Sequence, residues 1–125
     1  IPTGESQAQG EVLITVASQP VNVTVNQGQT AAFTVVATTT PSGNTINYQW
    51  QKKDYGTDTW INIDGATSSV YTTPVTTQGD GGDEFRVGLT STGATPTLSN
   101  AATLTINIGA TTVDNFTPDQ IFDDN

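Results

Sequence analysis

The amino-acid sequence predicts an all-β fold, an antiparallel β-sandwich of seven to nine short strands. Short runs of residues alternate between apolar and polar side chains, and turn-forming residues recur roughly every 8–12 positions. No stretch of helical periodicity has substantial length. Threonine is the commonest residue, and its β-branched side chain suits the solvent-facing side of a sheet. The chain has 125 residues and no internal repeat, which fits a single copy of the fold.

The N-terminal third of the chain predicts three strands. The first covers residues 11–17 and ends at a Ser-Gln-Pro break, because proline cannot donate to a strand ladder. The second, residues 21–25, alternates valine with polar residues at period two and ends in the turn at 26–29. The third covers residues 30–38, with alternating Ala, Phe and Val on one face and Thr and Ala on the other.

The middle of the chain predicts a loop and a hairpin. Residues 39–45 contain Pro, Ser, Gly and Asn in succession, which is typical of a loop. Residues 46–52 form a strand with an inward tryptophan. Residues 54–58 connect it to a short strand at 60–63, so that the two strands make a hairpin.

Three further strands complete the predicted sandwich. Residues 69–73 form a strand that ends at a proline, and a glycine-rich turn at 78–82 leads into the strand Glu84–Thr90. A loop or hairpin follows at 91–99. The last strand covers 101–108, where alternate apolar residues share one face.

The sequence divides into an arm, a sandwich and a tail. Residues 1–10 are polar and lack periodicity, which predicts an N-terminal arm or linker, and the sandwich covers 11–109. Residues 110–125 carry four acids, no base and several spaced apolar residues. This segment is either a solvated acidic tail or a docking segment whose apolar side chains enter a groove of a partner. The spaced apolar anchors are Val113, Phe116, Ile121 and Phe122, and the last three are the candidate binding residues.

Composition excludes several classes of function. The net charge of −9 disfavours nucleic acid, whose binding depends on neutralising phosphates with Lys and Arg, and it disfavours anionic membrane surfaces. The absence of Cys and His removes disulfides, thiolate chemistry and the commonest general base. No apolar run approaches the roughly 20 residues of a spanning helix. We therefore expect no enzymatic activity, no cofactor and no membrane insertion.

Two groups of acids and one pair of aromatics are the candidate sites. Asp80, Asp83 and Glu84 lie beside three glycines, where either a calcium site or an ordinary tight turn would fit, and the turn is favoured. Asp54, Asp58 and Asp64 are scattered and suggest no catalytic pair. Tyr55 and Trp60 flank a polar hairpin. They could stack on sugar rings, although packing of Trp60 on the sandwich edge is favoured.

Residues 28–108 carry a set of motifs that together are specific for one kind of sandwich. The motifs are Gly28-x-x-Ala31-x-Phe33-x-Val35, Tyr48-x-Trp50-x-Lys52, Asp64-Gly65-Ala66-Thr67-Ser68-Ser69-x-Tyr71-Thr72, Gly79 to Val87 with Phe85, and Ser99 to Thr105. Together they resemble the immunoglobulin-like domains of bacteria and bacteriophages, of the I-set or Hoc-like kind.

The resemblance implies how the centre of the domain is packed. In the vertebrate form, cysteines would stand at Val35 and Val87, and a tyrosine would stand at Phe85. Here two valines are expected to pack against Trp50, so that the inter-sheet disulfide is replaced by aliphatic packing. Val35, Trp50, Phe85 and Val87 are therefore the candidate core.

The resemblance also implies a structural or interaction module displayed on a virion, as a capsid decoration or a tail-associated protein. Its partners would be capsid or tail proteins, with loops 39–45 and 91–99 facing outward and residues 110–125 attaching it to the particle. A bacterial cell-surface adhesin or carbohydrate-binding domain, with a surface glycan as ligand, is the alternative. A passive spacer in a larger extracellular chain remains open as well.

Overall fold

The computed structural model describes residues 11–108. The predictions for residues 1–10 and 109–125, including Phe116, Ile121 and Phe122, lie outside the described residues. The described part forms ten strands and one short 3-10 helix. They are β1 (Leu13–Ser18), β2 (Val23–Asn26), β3 (Ala32–Thr34), β4 (Val36–Thr40), β5 (Asn47–Lys53), β6 (Ile61–Asn62), β7 (Val70–Thr72), the helix η1 (Gln78–Asp80), β8 (Glu84–Thr90), β9 (Thr97–Leu98) and β10 (Ala102–Asn107).

One layer of the sandwich is a six-stranded sheet in the order β2-β10-β8-β5-β6, with β9 also paired to β8. The strands are antiparallel except for β2 and β10, which run parallel. The centre of the sheet is the long ladder between β5 and β8, which extends from Asn47 opposite Thr90 to Lys53 opposite Glu84. This register places Trp50 opposite Val87, as expected for two central strands.

The other layer consists of the antiparallel pairs β1-β4 and β3-β7. The single strand predicted over 30–38 is interrupted at Val35, because its first half pairs with β7 and its second half pairs with β1. The backbone N–H of Val35 donates to the carbonyl oxygen of Ser69 at 3.0 Å, so the interrupted residue keeps its hydrogen bond. Its side chain continues to face the core.

The core is filled by alternate residues of both layers. Trp50 is completely buried, and its indole N–H donates to the carbonyl oxygen of Ser68 at 2.8 Å. The rings of Phe33 and Phe85 stack across the two layers with centroids 4.7 Å apart. Burying side chains of this kind stabilises a fold by about 1.5–3 kcal/mol each. The buried apolar residues are Val12, Ala31, Phe33, Val35, Trp50, Ala66, Phe85, Val87, Leu89, Ala102 and Leu104.

The predicted all-β sandwich is confirmed, with differences at its margins. The described residues form ten strands rather than seven to nine, because 30–38 is divided and because Thr97–Leu98 pairs with β8 inside segment 91–99, which was predicted as a loop or hairpin. The last strand, predicted over 101–108, covers Ala102–Asn107, so Ile108 lies beyond it and is half exposed. Within residues 11–108, no helix has the length and apolar character needed to cross a membrane.

Candidate functional site

The two long loops meet at one end of the sandwich. The hydroxyl of Ser91 donates to the carbonyl oxygen of Thr45 at 2.7 Å, which joins the loop after β8 to the loop before β5. The backbone N–H of Val12 donates to the carbonyl oxygen of Gly93 at 3.2 Å, so the start of the first strand lies beside them. Loops 39–45 and 91–95 contain no charged side chain, and we call this surface the neutral end.

Loop 39–45 is held by its own hydrogen bonds. The buried hydroxyl of Thr39 donates to the carbonyl oxygen of Pro41 at 2.8 Å, and the side-chain amide of Asn44 donates to the same oxygen at 2.8 Å. The backbone N–H of Asn44 donates to the Thr39 hydroxyl at 3.3 Å. The loop therefore presents a preformed surface, which lowers the ordering cost of binding.

Charged side chains gather at the opposite end, formed by residues 52–58 and 77–84, which we call the charged end. Lys52 Nζ lies 3.3 Å from Asp54 Oδ1 and 3.4 Å from Asp83 Oδ2, and Lys53 Nζ lies 3.2 Å from Glu84 Oε2. Burial lowers the pKa of Lys52, but the carboxylates of Asp54 and Asp83 outweigh burial, so the pKa is raised above its ordinary value.

Asp83 is the buried centre of the charged end. Its side chain is only 4% exposed, and Oδ1 accepts the backbone N–H of Tyr55 at 2.9 Å while Oδ2 faces Lys52. The carboxylate thereby connects the hairpin after β5 to the entry of β8. Burial of a carboxylate is tolerated here because a charge and a hydrogen-bond donor both compensate it.

The three carboxylates of the acidic turn at 80–84 do not point towards a common position. Asp80 Oδ2 accepts the backbone N–H of Thr77 at 2.8 Å, whereas Asp83 faces Lys52 and Glu84 faces Lys53. Among residues 11–108, no group of three or more His, Cys, Asp or Glu side chains is placed to hold a metal ion. The described geometry is that of a capped turn.

Trp60 and Tyr55 have different surroundings, although the sequence suggested a shared role. The guanidinium carbon of Arg86 lies 4.2 Å from the centroid of the Trp60 ring, and Arg86 Nε donates to Gln51 Oε1 at 2.7 Å. One face of the half-buried indole is therefore covered by a cation held on the sheet. Tyr55 is 76% exposed, and its ring lies over Gly82.

Gly82 is required where Tyr55 packs. Its φ angle is 91°, in the left-handed region that favours glycine, and a Cβ atom there would come 2.5 Å from the Tyr55 ring. The turn before β8 and the hairpin after β5 are thus fitted closely to each other.

A shallow depression of about 290 Å³ lies on the outer face of the central sheet, where Gly88 leaves room between neighbouring side chains. It has no charged lining residue. Gln51 Nε2 donates to Asn62 Oδ1 at 2.8 Å, which fixes one wall. Sequence reasoning missed this site, although alternating amide residues at Asn47, Gln49 and Gln51 were a visible period-two signal.

The four candidate core residues come from both layers of the sandwich, Val35 from one and Trp50, Phe85 and Val87 from the other. Val35 is 1% exposed and Val87 is completely buried, at the two positions where the resemblance puts cysteines. Trp50 and Phe85 belong to the same buried cluster.

Comparison with known proteins gives the fold and no closer relationship. No protein-family model matches the chain, and no curated protein is significantly similar to it. The tandem Ig repeats of Dlar match with a TM-score of 0.59 at 14% identity, covering 77% of this chain and 49% of that one. The N-terminal Ig1-2 module of the Drosophila receptor protein tyrosine phosphatase DLAR matches with a TM-score of 0.58 at 19% identity, covering 77% and 50%.

A single-domain structure matches over nearly its whole length. Titin domain M7 has a TM-score of 0.53 at 19% identity, with 76% of this chain and 94% of the titin domain covered. By contrast, the chain spans about half the length of the Dlar structures. At these identities the likeness concerns architecture alone, and the bacteriophage kind of domain stays a prediction. The described chain therefore has the fold of an immunoglobulin-like β-sandwich.

Proposed function

We propose that this protein is a non-enzymatic interaction module on the surface of a bacteriophage virion, as a capsid decoration or a tail-associated protein. Immunoglobulin-like folds commonly serve as interaction modules. In this proposal the neutral end contacts the host or a partner, and residues 110–125 dock to a capsid or tail protein.

The placement of the two ends carries the proposal. The strand register puts Asn47 opposite Thr90 beside the neutral loops, whereas β10 runs the other way and passes the start of β8. At that far end, Gln27 N–H donates to the carbonyl oxygen of Asn107 at 2.8 Å. A chain tethered beyond Ile108 would therefore leave loops 39–45 and 91–95 directed away from its attachment point.

Deletion of residues 110–125 tests this arrangement. The assay is co-sedimentation with purified particles of the phage whose genome carries the gene. The full chain should co-sediment and the deletion variant should not, while both keep the same chemical unfolding curve. Undiminished co-sedimentation of the deletion variant would refute attachment through this segment. Failure of the full chain to associate with any such particle would refute the virion role.

A second candidate function is binding of a neutral glycan, as in a bacterial surface adhesin or carbohydrate-binding domain. The observation that favours it is the uncharged, amide-lined depression on the central sheet, beside the hairpin that carries Trp60. Amide side chains both donate and accept hydrogen bonds, as sugar hydroxyls require.

A glycan array with matched variants tests this candidate. Binding that is lost in Gln49→Ala or Trp60→Ala, and kept in Tyr55→Ala, would support it. The absence of binding to any glycan and to any particle would instead leave the protein as a passive spacer.

A further inference from the structure

A pocket of about 250 Å³ opens at the charged end beside η1. Its floor is made by the core residues Phe85 and Leu104, and its rim includes Pro74 and the exposed Val75. The ring of Tyr71 lines one wall and packs at a tilt against Phe85, with centroids 5.6 Å apart. The pocket is thus an apolar slot that reaches the aromatic part of the core.

Two carboxylates also line this slot, and their charges are balanced differently. Asp83 is paired with Lys52. Asp80 forms no ion pair among residues 11–108. The sequence has three basic side chains, and all are engaged elsewhere: Lys52 with Asp54 and Asp83, Lys53 with Glu84, and Arg86 with Trp60 and Gln51. No Lys or Arg of this chain is left for Asp80.

The Asp80 carboxylate is nevertheless held in place. Its Oδ2 accepts the backbone N–H of Thr77 at 2.8 Å, which fixes it at the edge of the slot. Burial raises the pKa of the Tyr71 phenol, and the charge of Asp80 adds to this effect while Lys52 opposes it. The phenol of Tyr71 therefore remains neutral and able to form hydrogen bonds, close to the negative charge of Asp80.

We propose that this pocket receives a lysine or arginine side chain of a partner protein. The aliphatic stem lies against Phe85, Leu104 and Pro74, and the cationic head pairs with Asp80 beside the Tyr71 ring. This inference rests on the proposed role as a protein-interaction module. It adds the chemistry of the partner and places the contact at the charged end.

Size and charge favour this occupant over others. The slot is smaller than the roughly 300–1,000 Å³ of typical small-molecule sites, which suits a single side chain. The net charge of −9 steers basic partners towards the protein. Residues 110–125 carry four acids and no base, so their charge opposes entry into a slot with a carboxylate at its edge. An apolar side chain would cover Asp80 without pairing it.

The probes for a direct test are N-acetyl-lysine methylamide and N-acetyl-arginine methylamide, titrated into the full chain at low salt. Backbone amide NMR signals of Thr73, Asp80, Phe85 and Leu104 should shift in a saturable way, with a dissociation constant on the order of 1 mM. Added salt should weaken binding. N-acetyl-norleucine methylamide, which keeps the stem and lacks the charge, should bind on the order of fivefold more weakly.

Matched variants separate the pocket from the general charge of the protein. Asp80→Asn keeps an oxygen that accepts the Thr77 N–H, and it should weaken cation binding on the order of fivefold. Asp58→Asn makes the same change of charge on an exposed loop and should leave binding unchanged. Equal weakening by both variants, equal binding of norleucine, or no saturable shift at the pocket would each overturn the inference.

The particle assay distinguishes this inference from the proposed function. If Asp80→Asn keeps full co-sedimentation and the probes do not bind, the pocket assignment fails while the virion role stands. If the probes bind as described and the full chain does not co-sediment with the particles, the pocket assignment stands and the virion role fails.

Discussion

The two ends of the sandwich are held together by different forces. At the neutral end, hydroxyl and amide groups fix the loops, as in the hydrogen bonds of Ser91 to Thr45 and of Thr39 to Pro41. At the charged end, the buried carboxylate of Asp83 pairs with Lys52 and accepts a hydrogen bond from the backbone N–H of Tyr55. The neutral end should therefore be indifferent to salt and pH, whereas the charged end should respond to both. The two ends thus differ in chemistry, with uncharged hydrogen-bonding groups at one and ion pairs at the other.

The largest effect should come from the core that both ends share. Trp50→Ala removes a completely buried ring and its hydrogen bond to Ser68, and it should lower the free energy of unfolding by about 3–5 kcal/mol. Phe85→Ala should cost a similar amount, because Phe85 stacks on Phe33 and also packs against Tyr71. Chemical denaturation measures both losses.

Trp60→Ala is the control for the core variants. Trp60 is half-buried on the sheet surface against Arg86, so its loss should cost much less than that of Trp50. A Trp50→Ala protein with an unchanged unfolding curve would contradict the packing described for both layers.

The next largest effect should be confined to the charged end. Asp83→Ala leaves the N–H of Tyr55 without its acceptor and removes one of the two carboxylates beside Lys52, and it should cost about 1–3 kcal/mol. Asp83→Asn can keep the hydrogen bond and should cost less. The measurement is chemical unfolding, with hydrogen exchange of the Tyr55 amide as a local reporter.

Asp58→Ala provides the comparison for Asp83, because Asp58 is exposed and should tolerate the change with little loss. If Asp58→Ala and Asp83→Ala lowered the free energy of unfolding equally, the burial and ion pairing of Asp83 would not account for the stability of the charged end.

The central strands were predictable because their signal is local. Glu84–Thr90 has the predicted bounds, since a period-two pattern with Phe85, Val87 and Leu89 on one face identifies a half-buried strand without knowledge of its neighbours. The break at Val35 was not predictable. It arises because two different strands pair with the two halves of the segment, and neither partner is evident from the local sequence.

The candidate sites are formed by contacts between residues that are distant in the sequence. The sequence alone therefore identified individual residues and not the contacts between them. Tyr55 and Trp60 both lie in the connection between β5 and β6. The position of Arg86 on Trp60, however, follows from the register of β5 against β8. The excess of acids over bases indicated that some carboxylates lack an ion pair. That Asp80 is one of them required the geometry of all three basic residues.

A smaller effect is expected at the neutral end. Ser91→Ala removes the hydroxyl that joins the two loops and should cost about 0.5–1.5 kcal/mol. Because no charge is involved, this loss should be the same at low and high salt, in contrast to the losses at Asp83. Hydrogen exchange of the 39–45 amides, measured at both salt concentrations, checks the result. A salt-dependent loss would contradict the distinction between the two ends.

The smallest effect should appear only at alkaline pH and only through the charged end. The pKa of Lys52 is raised by Asp54 and Asp83 despite burial, so its stabilisation is fully present below the unfolded value of about 10.4 and is lost as pH rises through the folded pKa. Burial also raises the pKa of Tyr71, so the unfolded tyrosine ionises first, near pH ~10, and unfolding becomes easier above it. Both groups therefore make stability fall above about pH 10.

Tyr71→Phe isolates the tyrosine contribution to this alkaline loss. The variant keeps the ring that packs against Phe85 and removes the ionising hydroxyl, so its free energy of unfolding should fall less steeply above about pH 10 than that of the unaltered protein. If Tyr71→Phe lost stability above about pH 10 as steeply as the unaltered protein, the Tyr71 phenol would not be a source of the alkaline response.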